Sequence, residues 1–480
     1  MNVLLIQPPH ISGGATREPD SFPLGLAYID TVLSKEHKVE VLDIWGNKLN
    51  EQKVIDKIKK LDYDVVGISA LCTQYAYVKW LTKEIKRSFK GPIFLGGLLA
   101  TYSTDIVLNN TNVDICVIGE GELTTPDLLK NLDNLGKVDG IAFRKEGKIT
   151  RTKPRPYIKD LDTIPFPNRE LFPVETYINS TLYKDDGRKA EIIAGRGCPY
   201  NCVYCSKGFE GIRLRSVDNI IEEIKLLKKK YNISTISFAD ELVVINKKRT
   251  YELCDKIKKL GVKWACQGRL NVVDLDILKK MKDAGCKRIG YGIESGSQKI
   301  LDNMNKQVKV EQALKALLWT QEVGIAIHPQ MMFGMIGETK ETIKETIEFC
   351  KKAHIAVQGL FPTTPLPNTP LYNYALKKGL IKDEEKYLEG LPGTFRLYVN
   401  LTYFNDEEYL RLLNQTVVTI AKNYARYRRK HPTLLWNDYS HKVKRAYWYI
   451  KDYGFITFIK TLIRTVKNDR ELLFTKEMVA

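Results

Sequence analysis

Short apolar runs alternate with amphipathic segments over the first 150 residues of the chain. Apolar runs with the length of buried strands occur at 3–6, 39–43, 65–69, 92–96 and 113–118. Between these runs lie segments such as 24–34 and 78–88, in which apolar residues recur at helical spacing. Buried strands that alternate with helices predict a doubly wound parallel sheet of the flavodoxin or Rossmann type over residues 1–150.

A second series of the same kind begins at residue 190. Its apolar runs lie at 191–194, 235–238, 263–266, 288–292, 325–328 and 357–361. Helix-period segments separate them at 219–230, 247–260, 275–284, 310–323 and 341–353. Six βα repeats predict a partial (βα)6 TIM-like barrel over residues 190–390, with its chemistry at the carboxyl ends of the strands.

The rest of the chain differs in composition from these two α/β segments. Residues 151–189 contain five prolines and little periodicity, which predicts an extended linker. Residues 391–480 have helical periodicity and many Tyr, Trp, Lys and Arg residues, which predicts a small basic helical C-terminal domain. The chain enters its first strand within a few residues of Met1 and has no long apolar run, so neither a targeting peptide nor a membrane span is expected, and we predict a cytoplasmic protein.

Positive charge is concentrated at the end of the chain. The net charge is +18, and residues 411–480 contain 15 Lys or Arg against 5 Asp or Glu. Such a segment can attract nucleic acid, an acidic lipid surface or a phosphorylated substrate, or it can be a solvated helical face. The aromatic runs 447–450 and 455–459 stand among these cations, so the segment can lie peripherally on an anionic membrane. Alternatively, its aromatic side chains pack onto the barrel and close the substrate cavity.

Three cysteines follow the first strand of the predicted barrel. Cys198, Cys202 and Cys205 have C-x3-C-x2-C spacing, which lets one loop hold a four-iron cluster and leave one iron open to a small molecule. Zinc would need a remote fourth ligand, and no second cysteine pair follows. The other six of the nine cysteines are isolated, and we expect them in the core. An odd number of cysteines favours a reducing compartment, and an open iron would make the protein oxygen-sensitive.

The spacing of these cysteines, with Tyr204 before the last, resembles the signature of the radical S-adenosylmethionine (radical SAM) enzymes. Over residues 1–390 the order of motifs resembles the subclass with a cobalamin-binding (B12-binding) domain, which includes methyltransferases and the anaerobic magnesium-protoporphyrin ester cyclase. The segments that carry this wider resemblance are 22–28, 68–73, 96–101 and 119–122 in the first domain and 238–241, 292–297, 334–339 and 364–370 in the barrel.

The resemblance implies two sets of cofactor contacts besides the three cluster cysteines. S-adenosylmethionine (SAM) is implied at Tyr204, Asp240, Glu241, Arg269, Glu294, Ser295 and Gly337. Cobalamin is implied at Pro23, Gly25, Ser69, Thr73, Gly96, Gly97, Thr101, Gly119, Glu120 and Gly121. Some of these residues also have a purely structural explanation. Asp240 and Glu241 can cap a helix, Arg269 can form a surface ion pair, and glycines often end strands. No catalytic residue beyond the cofactor contacts is predicted.

The reaction that the resemblance implies begins with one electron from a [4Fe-4S] cluster. That electron cleaves SAM to methionine and a 5′-deoxyadenosyl radical, which abstracts hydrogen from an unactivated carbon, and cobalamin then donates a methyl group there. A cobalamin-free cyclisation, coupling or rearrangement is one alternative. A zinc-stabilised RNA-binding protein is another, although no usual RNA-binding module is recognisable. We expect a small-molecule or lipid substrate and a one-electron donor such as flavodoxin or ferredoxin.

Overall fold

The computed structural model of the chain describes residues 1–431, apart from 13–14, 17–18, 61, 181–186, 358–359 and 392–395. Its strands are β1 (Asn2–Gln7), β2 (Ile11–Ser12), β3 (Ala15–Thr16), β4 (Lys38–Asp43), β5 (Val65–Ser69), β6 (Ile93–Gly96), β7 (Ile115–Val117), β8 (Ile141–Lys145), β9 (Lys148–Arg151), β10 (Lys189–Ile192), β11 (Gly195–Gly197), β12 (Ile212–Leu214), β13 (Thr235–Phe238), β14 (Lys263–Gly268), β15 (Cys286–Glu294), β16 (Ala326–Phe333) and β17 (Phe361–Pro362).

Helices follow most of these strands. They are α1 (Leu24–Leu33), α2 (Glu51–Ile58), α3 (Tyr75–Ser88), α4 (Gly97–Tyr102), α5 (Thr104–Asn110), α6 (Gly121–Lys130), α7 (Val174–Ile178), α8 (Val217–Tyr231), α9 (Lys247–Lys258), α10 (Leu275–Asp283), α11 (Gln298–Asn303), α12 (Val310–Glu322), α13 (Lys340–Lys352), α14 (Pro370–Lys377), α15 (Glu384–Gly390) and α16 (Asp406–Arg429). No helix in the described part of the chain is both long enough and apolar enough to cross a membrane. The basic and aromatic segment 432–480 lies outside the described residues.

The N-terminal sheet has the strand order β4-β1-β5-β6-β7-β8-β9. Its first five strands are parallel and coincide with the five predicted runs, in the 2-1-3-4-5 order of a flavodoxin-like fold. The predicted doubly wound sheet is confirmed, and β8 and β9 add an antiparallel extension at one edge that was not predicted. Glu146 and Gly147 join these two strands with φ of 51° and 78°, the backbone of a tight hairpin turn.

Burial explains why the first strands read as continuous apolar runs. In β1, Leu4, Leu5 and Ile6 are at most 1% exposed, because helices cover both faces of a parallel sheet. Helix α3 buries Val78, Leu81 and Ile85, one stripe at helical spacing, and leaves Lys83 exposed to water.

The second sheet has six strands in chain order, β10-β13-β14-β15-β16-β17, as the predicted (βα)6 half-barrel requires. Each predicted run coincides with one of them, although the last is observed only as Phe361–Pro362 beside the undescribed 358–359. An unpredicted antiparallel hairpin, β11–β12, is inserted after β10 and pairs Arg196 with Arg213. Residues 198–211 connect its two strands, so the hairpin carries the cysteine loop.

By internal contacts the chain divides into two compact units. The first comprises residues 1–268, 276–289 and 365–394, and the second comprises 269–275, 290–364 and the described residues after 395. Within the first unit, α15 returns to the N-terminal sheet, where Glu385 accepts a hydrogen bond from the Tyr75 hydroxyl at 2.9 Å. Within the second, Tyr409 of α16 donates to the Phe333 carbonyl oxygen at 2.8 Å and is fully buried.

Candidate active site

The first unit contains a cavity of about 290 Å³ at the carboxyl ends of β5, β6 and β7. Gly97, just after β6, has a φ of 83°, and a Cβ there would lie 2.6 Å from the Ala70 carbonyl oxygen. Only glycine therefore lets these two loops approach so closely. By contrast, a Cβ on Gly25 would meet nothing within 4 Å, and this residue lines the cavity. At Gly25 the cavity wall therefore has no side chain, which leaves room for a bulky ligand.

A second cavity of about 270 Å³ shares part of its wall with the first. The predicted cobalamin contacts that line the first cavity are Gly25, Ser69, Gly96, Gly97, Gly119, Glu120 and Gly121. Pro23 and Thr101 line the second. The Thr101 hydroxyl donates to the Gly97 carbonyl oxygen at 3.0 Å and accepts from the Gly119 amide at 3.1 Å, so it joins the ends of β6 and β7. Thr73 lies in the 3-10 turn Cys72–Gln74 and lines neither cavity.

The cysteine loop begins directly at the end of β11. Cys198 and Cys202 are half-buried, and Cys205 is exposed. The Lys207 ammonium lies inside the loop, 2.7 Å from the Asn201 side-chain oxygen, and it also donates to the Cys198 and Tyr200 carbonyl oxygens at 3.3 and 3.2 Å. Tyr204 is half-buried between the second and third cysteines.

Two carboxylates after β13 bind backbone amides in the cysteine loop and just before it. Both oxygens of Asp240 accept the Ala194 amide, at 2.8 and 2.9 Å, and burial raises the pKa of Asp240 to about 7. Burial also raises the pKa of Glu241, while hydrogen bonds from the Gly208 and Gly197 amides lower it. Both side chains line the first cavity. The predicted SAM contacts at the end of β13 therefore also support the loop that carries the cysteines.

The Gly-Glu-Gly-Glu segment after β7 forms buried ion pairs with the β11–β12 hairpin. Glu120 accepts from Arg196 at 2.6 Å, from Arg213 at 2.9 Å and from the Ile158 amide at 2.7 Å. Glu122 pairs with the same Arg196 at 2.5 Å. The carboxylate of Glu120, which the resemblance implies near cobalamin, is thus already bound to protein donors in this structure.

The second unit holds the other residues predicted to contact SAM. Glu294, at the end of β15, has a φ of 65° and forms an ion pair with Lys306 at 2.9 Å. Ser295 shares a hydrogen bond of 3.1 Å with the Thr346 hydroxyl, and Arg269 donates to Asn271 at 3.0 Å. Gly337 has a φ of 84°, and a Cβ there would lie 2.6 Å from the Asn303 amide nitrogen. Arg269, Glu294 and Ser295 are all buried, so the surface ion pair considered for Arg269 is wrong.

Sequence reasoning missed several residues of these sites. Arg196 stands two positions before Cys198, but its partners Glu120 and Glu122 lie 76 and 74 positions away, so no local signal links them in the sequence. Lys306 follows α11 among other lysines and gives no signal of its burial. His10, which we did not assign to a site, lines the second cavity, and its ring centroid lies 4.3 Å from that of Trp45.

The residues present fit both an iron–sulfur cluster and a corrin. Each thiolate of a three-cysteine loop binds a different iron, so its sulfurs need not converge on one point. Within the described residues, no three His, Cys, Asp or Glu side chains are grouped as the ligands of a single ion. For the corrin, the glycine-walled cavity lies at the carboxyl ends of parallel strands, where doubly wound sheets bind their ligands.

Two family models match the chain in agreement with this geometry. The B12 binding domain matches residues 12–129, and the Radical SAM superfamily matches residues 192–350. An uncharacterised methyltransferase of Pyrococcus horikoshii is 32% identical over 87% of this chain and 92% of its own length. The chain belongs to the cobalamin-binding radical SAM enzymes. Its cofactors are therefore a [4Fe-4S] cluster, SAM and cobalamin.

Other members of the family are also similar to this enzyme. The anaerobic magnesium-protoporphyrin IX monomethyl ester cyclase of Rubrivivax gelatinosus is 31% identical over 81% of this chain and 72% of its own length. Among solved structures, the radical SAM methyltransferase TsrM of Kitasatospora setae, with cobalamin and a [4Fe-4S] cluster bound, has a TM-score of 0.65 at 17% identity. That alignment covers 79% of this chain and 75% of TsrM, and it shows a shared fold.

Proposed function

We propose that this enzyme transfers a methyl group from SAM, by way of cobalamin, to an unactivated carbon of a small-molecule or lipid substrate. When bound, the cluster supplies the electron that cleaves SAM, and cobalamin carries the methyl group. Cys198, Cys202 and Cys205 would hold the cluster, and the glycine-walled cavity would hold the corrin. The similarity to the Pyrococcus methyltransferase supports this reaction class.

The observation that carries the proposal is the composition of one cavity in the first unit. Gly25, Ser69 and Gly97 of the cobalamin-binding domain line it together with Gly197 and Glu241, which flank or support the cysteine loop. A corrin held in this cavity would therefore lie beside Gly197, where the cysteine loop begins. Glu241 accepts hydrogen bonds from the Gly208 amide in the loop and the Gly197 amide before it, while Asp240 accepts from Ala194, just before β11.

Labelled SAM tests the proposal. The enzyme is reconstituted anaerobically with iron, sulfide and cobalamin, reduced, and incubated with SAM that carries a trideuterated methyl group and with a metabolite extract from anaerobic cells. We expect 5′-deoxyadenosine together with deuterium label in the corrinoid fraction and in a new extract component. Formation of 5′-deoxyadenosine without label in either fraction would contradict methyl transfer.

Cyclisation or rearrangement is a second candidate, because the Rubrivivax cyclase is 31% identical to this chain. In the labelling experiment this alternative predicts that an extract component is consumed and that its product carries no deuterium.

We further propose flavodoxin or ferredoxin as the electron donor. Contact of residues 432–480 with an anionic membrane is a separate proposal, which flotation of the holoenzyme with anionic liposomes tests: a protein that stays at the bottom would contradict it.

A further inference from the structure

Arg196 links the two cofactor-binding parts of the first unit. It belongs to β11, two residues before the first cluster cysteine, and its guanidinium bonds to Glu120 at 2.6 Å and Glu122 at 2.5 Å. Those glutamates bracket Gly121, where α6 begins in the cobalamin-binding domain. The residues joined are 76 and 74 positions apart in sequence. One side chain thus bridges the end of β7 and the start of the cysteine loop.

The bridge is buried. The side chains of Arg196, Glu120 and Glu122 are 9%, 4% and 8% exposed. Because a planar guanidinium offers its donors in a fixed fork, two bonds to two carboxylates set its orientation as well as its position. The ring of Tyr28 lies on the same guanidinium, with its centroid 5.5 Å from the guanidinium carbon.

A second arginine fixes the other strand of the hairpin to the same carboxylate. Arg213 lies opposite Arg196 in the backbone register of β11 and β12. Its Nη1 contacts Glu120 at 2.9 Å and the Ile158 carbonyl oxygen at 2.6 Å. The hairpin therefore cannot rotate about a single ion pair. Glu120, Glu122 and Arg196 all line the first cavity, so the bridge forms part of the wall that both cofactors would share.

We propose that Arg196 is a positioning residue that fixes the cysteine loop against the cobalamin-binding domain and so sets the separation of the cluster and the corrin. It acts through Glu120 and Glu122 and needs no contact with either cofactor. This inference rests on the cofactors of the family, and its test uses no substrate, so it stands or falls separately from methyl transfer.

The test is a spin-relaxation measurement on the full-length holoenzyme, reconstituted anaerobically with iron, sulfide and cobalamin. A reduced cluster is paramagnetic, and it speeds the relaxation of cob(II)alamin steeply as their separation falls. Wild type, Arg196→Met and Arg196→Lys are compared. Arg155→Met is the matched control, because it removes an ion pair to Asp127 of the same helix, α6, away from the hairpin.

Iron and corrin content are measured first, and relaxation is read on whichever Arg196 variant retains both cofactors. The proposal expects a weaker or heterogeneous enhancement in that variant and a wild-type enhancement in Arg155→Met. Lysine keeps the charge but lacks the fork, so Arg196→Lys should also deviate. Wild-type enhancement in an Arg196 variant, even with a lowered melting temperature, overturns the proposal. It is equally overturned if neither variant retains both cofactors while Arg155→Met does.

Discussion

Lys306 and Glu294 form a buried ion pair in the second unit. The Lys306 ammonium lies 2.9 Å from a Glu294 carboxylate oxygen, and each side chain is 9% exposed. Glu294 also occupies the left-handed backbone region, with a φ of 65°, which only a well-supported residue adopts outside turns. The family resemblance implies that Glu294 contacts SAM. The backbone conformation of Glu294 and its ion pair with Lys306 together fix the position of this carboxylate.

Replacing Lys306 with methionine should destabilise the enzyme by about 3–5 kcal/mol, because a buried carboxylate then loses its lysine partner. Chemical denaturation under anaerobic conditions measures the free energy of unfolding. The double variant Lys306→Met with Glu294→Gln should recover much of this loss, since both charges are then gone. Lys299→Met, at an exposed position of α11, is the control and should change little. A Lys306→Met protein as stable as the control would show that the pair contributes nothing.

Cysteine substitutions distinguish the proposed cluster ligands from the cysteines of the core. Cys202→Ala should abolish iron binding and 5′-deoxyadenosine formation while the fold persists, because a cluster cannot be held by two thiolates of this loop. Cys254→Ala changes a buried cysteine in α9 and should retain the cluster absorbance. Iron analysis and visible absorbance after reconstitution check both variants. Cleavage of SAM by the Cys202→Ala variant would contradict the assignment of Cys202 as a ligand of the cluster.

Lys207 should stabilise the cysteine loop through its three oxygen partners at 2.7–3.3 Å. Hydrogen bonds from a charged donor contribute about 1.5–3 kcal/mol each. Lys207→Met should therefore still bind a cluster but lose it faster when challenged with a chelator, as followed by the decay of its visible absorbance. Lys229→Met, on the exposed face of α8, is the matched control. Equal decay rates in the two variants would mean that Lys207 does not support the loop.

The fold could be predicted from the sequence wherever a strand is apolar on both faces. The five parallel strands of the first sheet follow from such runs, since helices cover both sides of them. Strands of the second sheet also contain short apolar runs, although β16 is buried at only two of its eight positions. Strands β8 and β9 were missed because their apolar positions are few and a Glu146-Gly147 turn separates them. The available sequence signal was Gly147, because glycine readily adopts the positive φ that a tight hairpin turn needs.

The candidate site could be predicted only where a local motif encodes it. The cysteine spacing and the glycines after strands are local, and the structure places most of them around the cavities or in the loop. The pairing of Glu120 with Arg196 joins residues 76 positions apart, and that of Glu294 with Lys306 depends on how α11 packs. A single sequence contains no information on which distant charges meet, so these contacts emerged only from the structure.

Glu338 provides a test of pH dependence in the second unit. It precedes α13 and accepts the Gly334 amide at 2.5 Å, and burial raises its pKa from 4.5 to about 7. Between these two values the unfolded chain loses the proton while the folded protein keeps it. The contribution of Glu338 to stability is therefore fully present below about pH 4.5 and is lost as the pH rises toward 7, by roughly 3 kcal/mol.

Glu338→Gln removes this titration while keeping an oxygen that can accept the Gly334 amide. We expect the variant to gain stability relative to wild type as the pH rises from 5 to 8, as measured by urea unfolding followed by circular dichroism. Glu341→Gln is a control of opposite sign, because hydrogen bonds from its own amide and from Thr339 lower the pKa of that exposed carboxyl. The stability that Glu341 contributes is fully present above about pH 4.5 and is lost only below it, so this variant should differ from wild type by the same amount at pH 5 and at pH 8. If wild type and Glu338→Gln keep a constant difference across this range, Glu338 does not retain its proton in the folded enzyme, and Gly334 donates to a carboxylate instead.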